Sequence, residues 1–217
     1  MKIGLAQINP TVGDFSGNAA KMVAFAAQAR AAGCDLVVFP ELATCGYPPG
    51  DLLERPAFVD ANRDCLNFLV DTIRDIGVVV GYVERNPDNA GKRLLNALAL
   101  FEGGRIRFRA FKRLLPTYDV FDEDRYFRAG ERPLVFSLGD VTVGINICED
   151  IWYPAGPTKA QALAGAQLVV NISASPYHAG KSASRERMLA TRAADNVVYV
   201  AFCNLVGGQD ELVFDGG

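Results

Sequence analysis

The sequence predicts an α/β protein in which mixed β-sheets are covered by helices. Strand-helix-strand patterns stand at both ends of the chain, with consecutive hairpin patterns between them. Several strand segments, such as Leu168-Val-Val-Asn-Ile, are apolar on both phases and need cover on both faces. With 217 residues, half of them hydrophobic, the chain can bury a substantial core in one domain, at most two.

Residues 2–8 read as a first strand, followed by a polar turn containing Pro10, Gly13 and Gly17. Asn18 fits the N-cap of a helix whose apolar face holds Met22, Val23, Phe25, Ala26 and Ala29, and Gly33 stops it. Residues 35–39 form a second, short apolar strand. Residues 40–56 hold four prolines and two glycines, too many for regular structure, and read as a functional loop. Residues 57–76 carry Phe58, Cys65, Leu66, Leu69, Val70 and Ile73 at roughly helical spacing, with Gly77 as the stop.

A third strand is expected over 78–84. Strands at 94–101 and 105–111 are joined by Glu102-Gly103-Gly104, a strong hairpin signal, and a second hairpin joins 133–138 to 141–147. A Gly-Pro opening leads into a helix through 159–164, then come a strand at 167–172, a helix at 182–194, a strand at 197–203 and the start of another at Leu212. No linker, internal repeat or low-complexity segment is seen. The Asp215-Gly-Gly217 ending reads as a truncation.

Composition narrows the function. Twenty-two Lys and Arg against 25 Asp and Glu leave a net charge of -3, with no basic excess for a nucleic-acid footprint. The amino terminus lacks a signal-peptide pattern and no apolar run approaches the ~18 residues of a membrane span, so the cytosol is the expected compartment. Five cysteines without a Cys-x-x-Cys pair favour neither a disulfide framework nor a cysteine zinc site. The single histidine, His178, rules out a multi-histidine metal site and must serve any Cys-His pair; as a loop residue beside Tyr177 it reads as a poor catalyst.

Three strand ends carry the chemistry: Glu41 after Phe39-Pro40, Lys112 after residues 105–111, and Cys148 after Val-Thr-Val-Gly-Ile-Asn-Ile. Alternation puts Arg105, Arg107 and Arg109 on one face and Ile106, Phe108, Ala110 and Lys112 on the other, so Lys112 points with the apolar set unless the strand has already ended. Alone, Glu41 also fits a surface carboxylate and Cys148 a buried structural thiol. Together they complement one another. A thiol with a free pKa near ~8.5 needs a base or a cation to attack a carbonyl, and a fixed ammonium stabilises the oxyanion that attack on an amide creates.

Phe39-Pro-Glu41-Leu, the strand end at Lys112 and Asn146-Ile-Cys148-Glu149-Asp150 resemble the three signature segments of the nitrilase, or carbon-nitrogen hydrolase, superfamily, whose members use a Glu-Lys-Cys triad. The resemblance covers nearly all of residues 1–217 and implies an α/β fold, a four-layer α-β-β-α sandwich of the nitrilase type. The stretches from Glu41 to Leu53, from Lys112 through Glu123 to Phe127, and from Asn204 to Gly216 are similar to the amino-terminal glutaminase domains of glutamine-dependent NAD synthetases. That likeness implies that Glu41 is the general base, Lys112 the lysine beside the oxyanion, Cys148 the nucleophile, and Glu123 an additional supporting glutamate. It also implies glutamine contacts at Tyr118, Ser175 and Lys181 and a pocket lined by Glu149 and Trp152, with Tyr47 among the substrate-binding residues and no metal site.

The same likeness implies glutamine as substrate and no cofactor in this domain. ATP and Mg²⁺ would serve a carboxyl-terminal synthetase domain that amidates nicotinic acid adenine dinucleotide to NAD. That domain is the expected partner within the full-length chain, homo-oligomers are expected, and neither nucleic acid nor membrane is. The residues here contain no Ser-Gly-Gly-x-Asp-type ATP loop, so the synthetase half lies outside them. Competing readings are a freestanding ω-amidase or other carbon-nitrogen hydrolase, and a catalytically silent scaffold.

Overall fold

The computed structural model describes residues 1–88 and 91–217. After β1 (Ile3–Leu5) the chain enters α1 (Phe15–Ala31) through Asp14, whose carboxylate accepts from the Gly17 amide at 2.9 Å. Asn18, the expected cap, lies inside the helix instead. It is buried, and its side chain binds the backbone of Thr11 and the Thr44 carbonyl. Asn and Asp share capping chemistry, and the one whose side chain is needed beneath the helix is not the one that starts it. Gly33, at φ 73°, follows the end of α1 as expected.

β2 (Leu36–Val38) pairs parallel with β1 and with β3 (Gly77–Arg85), while β4 (Leu94–Glu102) and β5 (Arg105–Phe111) continue the sheet antiparallel, giving five strands in sequence order. The turn between β4 and β5 has Gly103 and Gly104 at φ 58° and 75°, left-handed values that a two-residue hairpin asks for. Between β2 and β3 run a five-residue 3-10 helix, Gly50–Glu54, inside the loop expected to be irregular, and α2 (Pro56–Thr72). α2 stops four residues before its expected end. Ile73 and Ile76 still pack into the core under it, so the apolar spacing outlasts the helix.

The second sheet has four strands: β6 (Leu134–Leu138), β7 (Val141–Ile147), β8 (Leu168–Ser173) and β9 (Tyr199–Asn204). β6 is antiparallel to β7; β7, β8 and β9 run parallel. α3 (Pro157–Leu163) and α4 (Lys181–Asn196) make the crossovers. β9 starts two residues later than expected because Val197, at φ 53°, caps α4 rather than opening the strand. A last hairpin, β10 (Val206–Gln209) with β11 (Leu212–Asp215), includes a strand that the glycine-rich sequence concealed.

Burial defines the layers. Val38, Val79 and Leu98 meet Ile145, Val170 and Ile172 between the two sheets. Met22, Leu66 and Leu69 of the first two helices cover the outer face of the five-stranded sheet, and Ala162 packs on Val169 and Val200 outside the other. The result is the expected four-layer α-β-β-α sandwich.

One strand departs from simple alternation. The β4–β5 register shifts between Leu100 and Phe101: Leu100 faces Phe108 but Phe101 faces Ile106, which leaves Arg107 as an extra residue. Ile106 therefore packs with the helix-side core, not on the face expected for it, whereas Phe108 and Ala110 face the opposite sheet. Lys112 follows the bulge, so its inward phase is kept.

Candidate active site

Glu41 sits just past β2, fully buried, in a turn where Leu42 adopts φ 47°. The turn lies directly on Gly81 of β3. A Cβ at position 81 would come within 2.4 Å of the Leu42 nitrogen and 2.6 Å of the Pro40 carbonyl, so only glycine allows the approach. The Gly81 amide bonds Pro40 O at 3.2 Å, and the Thr44 amide bonds Gly81 O at 3.3 Å.

Lys112, also fully buried, is fixed by its amide on Asn96 O and its carbonyl on Gly130 N, each at 2.8 Å. Its ammonium donates to Glu41 Oε1 and to Glu123 Oε1, both at 2.7 Å. Glu123 starts a short 3-10 turn and also accepts from the Tyr47 hydroxyl at 2.9 Å. Asn96 Nδ2 donates to Glu41 Oε1 at 2.7 Å and reaches Glu123 Oε2 at 3.4 Å. The Ala174 amide, past the end of β8, donates to Glu41 Oε2 at 2.9 Å. One cation and several neutral donors thus satisfy two buried carboxylates, the condition under which charges persist in an interior.

Cys148 opens a 3-10 turn at the end of β7 with φ 46°, a left-handed conformation that a non-glycine residue holds only when its surroundings impose it. Two devices impose it. Asp150 accepts from the amides of Ile147, Arg113 and Leu114 at 3.2, 3.0 and 2.9 Å, joining the cysteine turn to the residues after Lys112. Beside it, Gln161 accepts from Asn146 at 2.9 Å, Asn146 accepts from Asn171 at 2.7 Å, and Asn171 reaches the Cys148 carbonyl at 3.3 Å.

The electrostatics follow from burial. Desolvation disfavours the ammonium of Lys112, but Glu123 and then Glu41 outweigh it and hold its pKa well above the ordinary lysine value. Burial pushes the Glu123 carboxyl up to about 7 against the pull of Lys112. Burial and then the charge of Glu41 raise the Cys148 thiol far above the ordinary range, with Lys112 and the Ser173 hydroxyl working the other way. At neutral pH burial therefore keeps Cys148 as a thiol, a form that attacks a carbonyl only if a base takes its proton.

Around this centre, the Tyr118 hydroxyl donates to both oxygens of Glu149, at 2.8 and 2.9 Å. Tyr118 is half exposed and Glu149 buried, so the pair spans from surface to interior. The Lys181 ammonium stands 5.9 Å from the ring centre of Trp152. Burial, then the Arg185 guanidinium one turn on, lower the Lys181 pKa. Ser175 is buried; Arg185 reaches its carbonyl and its hydroxyl, each at 3.4 Å, and Asn204 brackets its backbone. His178 is an exposed loop residue.

The structure thus brings Glu41, Lys112 and Glu123 into one hydrogen-bonded group, with Cys148 within its electrostatic reach. Tyr47 is buried, and its hydroxyl donates to Glu123. Sequence reasoning missed Asn96, Asp150, Asn171 and Arg185. The first and third stand inside apolar strands, Leu-Leu-Asn96-Ala-Leu and Val-Val-Asn171-Ile, where a polar side chain needs a reason. Arg185 carried no such signal, since the buried side chains of α4 are Arg185 and Arg192 rather than an apolar stripe.

Comparison with known proteins places this geometry. The glutamine-dependent NAD(+) synthetase of Thermotoga maritima is 46% identical over 220 residues, covering 100% of this chain and 37% of that protein. The Aquifex aeolicus protein of the same description is 43% identical, again over 100% of this chain and 37% of its own length. The chain thus spans about two-fifths of the length of such relatives. Among solved structures, glutamine-dependent NAD+ synthetase from Acinetobacter baumannii superposes with a TM-score of 0.93 at 36% identity, over 99% of this chain and 40% of that one. An amidase from Nesterenkonia sp. gives 0.86 at 28% identity over 100% and 80%. A variant of that amidase carries the acetamide moiety of fluoroacetamide on its active site cysteine. The family model for carbon-nitrogen hydrolases matches residues 2–217, and with a buried Glu-Lys pair beside a strained cysteine already in place, this chain belongs to the carbon-nitrogen hydrolase family.

Proposed function

We propose that this chain is the glutaminase unit of a glutamine-dependent NAD synthetase. The observation that carries the chemistry is the Lys112 ammonium, held at 2.7 Å by both Glu41 and Glu123 beside the thiol of Cys148. Glutamine enters past Tyr118 and Trp152; Lys181 pairs with its carboxylate and Glu149 with its ammonium, while Ser175 supplies a polar contact. Glu41 takes the thiol proton as sulfur attacks the side-chain amide, and Lys112 stabilises the oxyanion with its remaining N–H. Glu41 returns the proton to the leaving nitrogen, ammonia departs, and a γ-glutamyl thioester remains. Water, deprotonated by Glu41, then attacks the thioester, releasing glutamate and restoring the thiol. Glu123 keeps the ammonium charged and in place, and Tyr47 keeps Glu123.

In the full-length protein the ammonia passes to a synthetase domain that uses ATP and Mg²⁺ to amidate nicotinic acid adenine dinucleotide. What supports this over a freestanding amidase is the identity of 46% to the Thermotoga maritima NAD synthetase against 28% to the Nesterenkonia amidase, and the TM-score of 0.93 to the Acinetobacter baumannii NAD synthetase against 0.86 to that amidase. The test is Cys148→Ala in the full-length protein. Ammonia release from glutamine and glutamine-supported NAD formation are expected to fall by at least ~1,000-fold, as for loss of a nucleophile, while NAD formation from added ammonia persists. Unchanged ammonia release removes Cys148 as nucleophile; loss of the ammonia-supported reaction as well removes the division of labour.

A further inference from the structure

Asn96 stands between the two carboxylates, and no step above uses it. It lies in β4 on the phase of Leu98 that faces the opposite sheet, and it is 1% exposed. Its Oδ1 is buried and has no hydrogen-bond partner among the described residues. Its orientation is nevertheless set by Glu41, because turning the amide over would place an acceptor oxygen 2.7 Å from Oε1, which already accepts from Lys112. The fold leaves one carbonyl oxygen unpaired so that the NH₂ group points at Glu41 and Glu123, and an unpaired buried group of this kind asks for an explanation.

The two oxygens of Glu41 are not equivalent. Oε1 accepts from Asn96 Nδ2 and from Lys112 Nζ, both at 2.7 Å, whereas among the described residues Oε2 accepts from the Ala174 amide alone, at 2.9 Å. We infer that Asn96 is a positioning residue for the base: it occupies Oε1 together with Lys112, so that the Cys148 proton is taken at Oε2, and it fixes the carboxylate plane for that transfer. The inference rests on the role proposed for Glu41. The titratable groups acting on Glu41 are Lys112, Glu123, Tyr47 and Cys148, from β5, the 3-10 turn, the loop after β2 and the end of β7. A neutral donor from β4 adds a hydrogen bond to this group without changing its charge.

Iodoacetamide tests this independently of the natural substrate. The Cys148 sulfur bonds to carbon, iodide leaves, and the thiol proton goes to Glu41, so the acid limb of the rate reports on the group that takes the proton. In the full-length protein the rate is followed at the Cys148 peptide by mass spectrometry across pH. Removing a donor to a carboxylate favours its protonated form, so Asn96→Ala is expected to move the acid limb upward. Its kcat for glutamine should fall by roughly 10- to 100-fold while KM stays within about twofold. Asn96→Ser, which retains a hydroxyl donor and reads the same limb if the alanine variant does not fold, should recover part of both changes. A limb that superposes on that of the unaltered protein overturns the inference, as does a variant whose loss is confined to KM. Unaltered protein that alkylates with the expected limb yet does not hydrolyse glutamine overturns the proposed substrate and leaves the assignment of Asn96 standing.

Discussion

Glu123 offers a pH signature that can be read without any substrate. Its folded pKa is about 7, against an ordinary value of 4.5, because burial outweighs the pull of Lys112. Between those values the folded state keeps a proton that the unfolded chain has released, so this carboxyl lowers stability progressively as pH climbs from 4.5 to about 7, and by a constant amount above. Glu123→Gln removes the titration. The stability of the variant relative to the unaltered protein is expected to rise across that window and then level off, as read by denaturant unfolding at several pH values. A difference that is flat with pH would mean that Glu123 is ionised throughout. The sequence made Glu41, Lys112 and Cys148 visible because each follows an apolar run at a place where strands end. It hid Asn96 and Asp150 because their partners lie 55 residues and more than 30 residues away, a proximity that only the sandwich creates.

At the scale of elements, the placement of Glu41 depends on a strand that contributes no functional group. Gly81 is the point where β3 admits the turn holding the carboxylate, and a methyl group there would overlap backbone atoms at 2.4 and 2.6 Å. Backbone cannot rotate aside as a side chain can. Gly81→Ala is therefore expected to cost roughly 1–3 kcal/mol of stability, the usual range for overpacking, and to lower kcat more than KM, because it displaces Glu41, the proposed base, and leaves Tyr118, Trp152 and Lys181 in place. A variant with unchanged kcat in a steady-state assay would show that the turn relaxes without moving Glu41. The strands and helices were mostly readable from apolar periodicity. What escaped it was local: a cap at Asp14 chosen over Asn18, an α2 whose periodicity outlasts its hydrogen bonds, and the extra residue at Arg107, which no alternation pattern reveals.

For the whole molecule, the two sheets act as a clamp. Glu41, Lys112 and Asn96 come from the five-stranded sheet, and Cys148 and the Ala174 amide come from the ends of strands in the other. The site exists only where the sheets face each other, which is why four layers are needed to assemble so few groups. The order of the signature residues along the chain announces this arrangement, but the pairing across the sandwich does not follow from order alone.

Keeping Cys148, the proposed nucleophile, as a buried thiol also bears on oxidative damage. Hydrogen peroxide attacks thiolates, and it carries no carbonyl oxygen for Lys112 to polarise. A sulfur that remains protonated between two sheets at neutral pH, and passes its proton to Glu41 only as it attacks an amide lodged beside it, is a poor target. Peroxide treatment at neutral pH is expected to convert Cys148 to sulfenic acid more slowly than it oxidises free cysteine, as measured by trapping and mass spectrometry of the Cys148 peptide. Oxidation as fast as that of free cysteine would mean that the resting site holds a thiolate. Slow oxidation of Cys148 lets the protein persist through peroxide stress with this sulfur intact, needing no reductant to restore it.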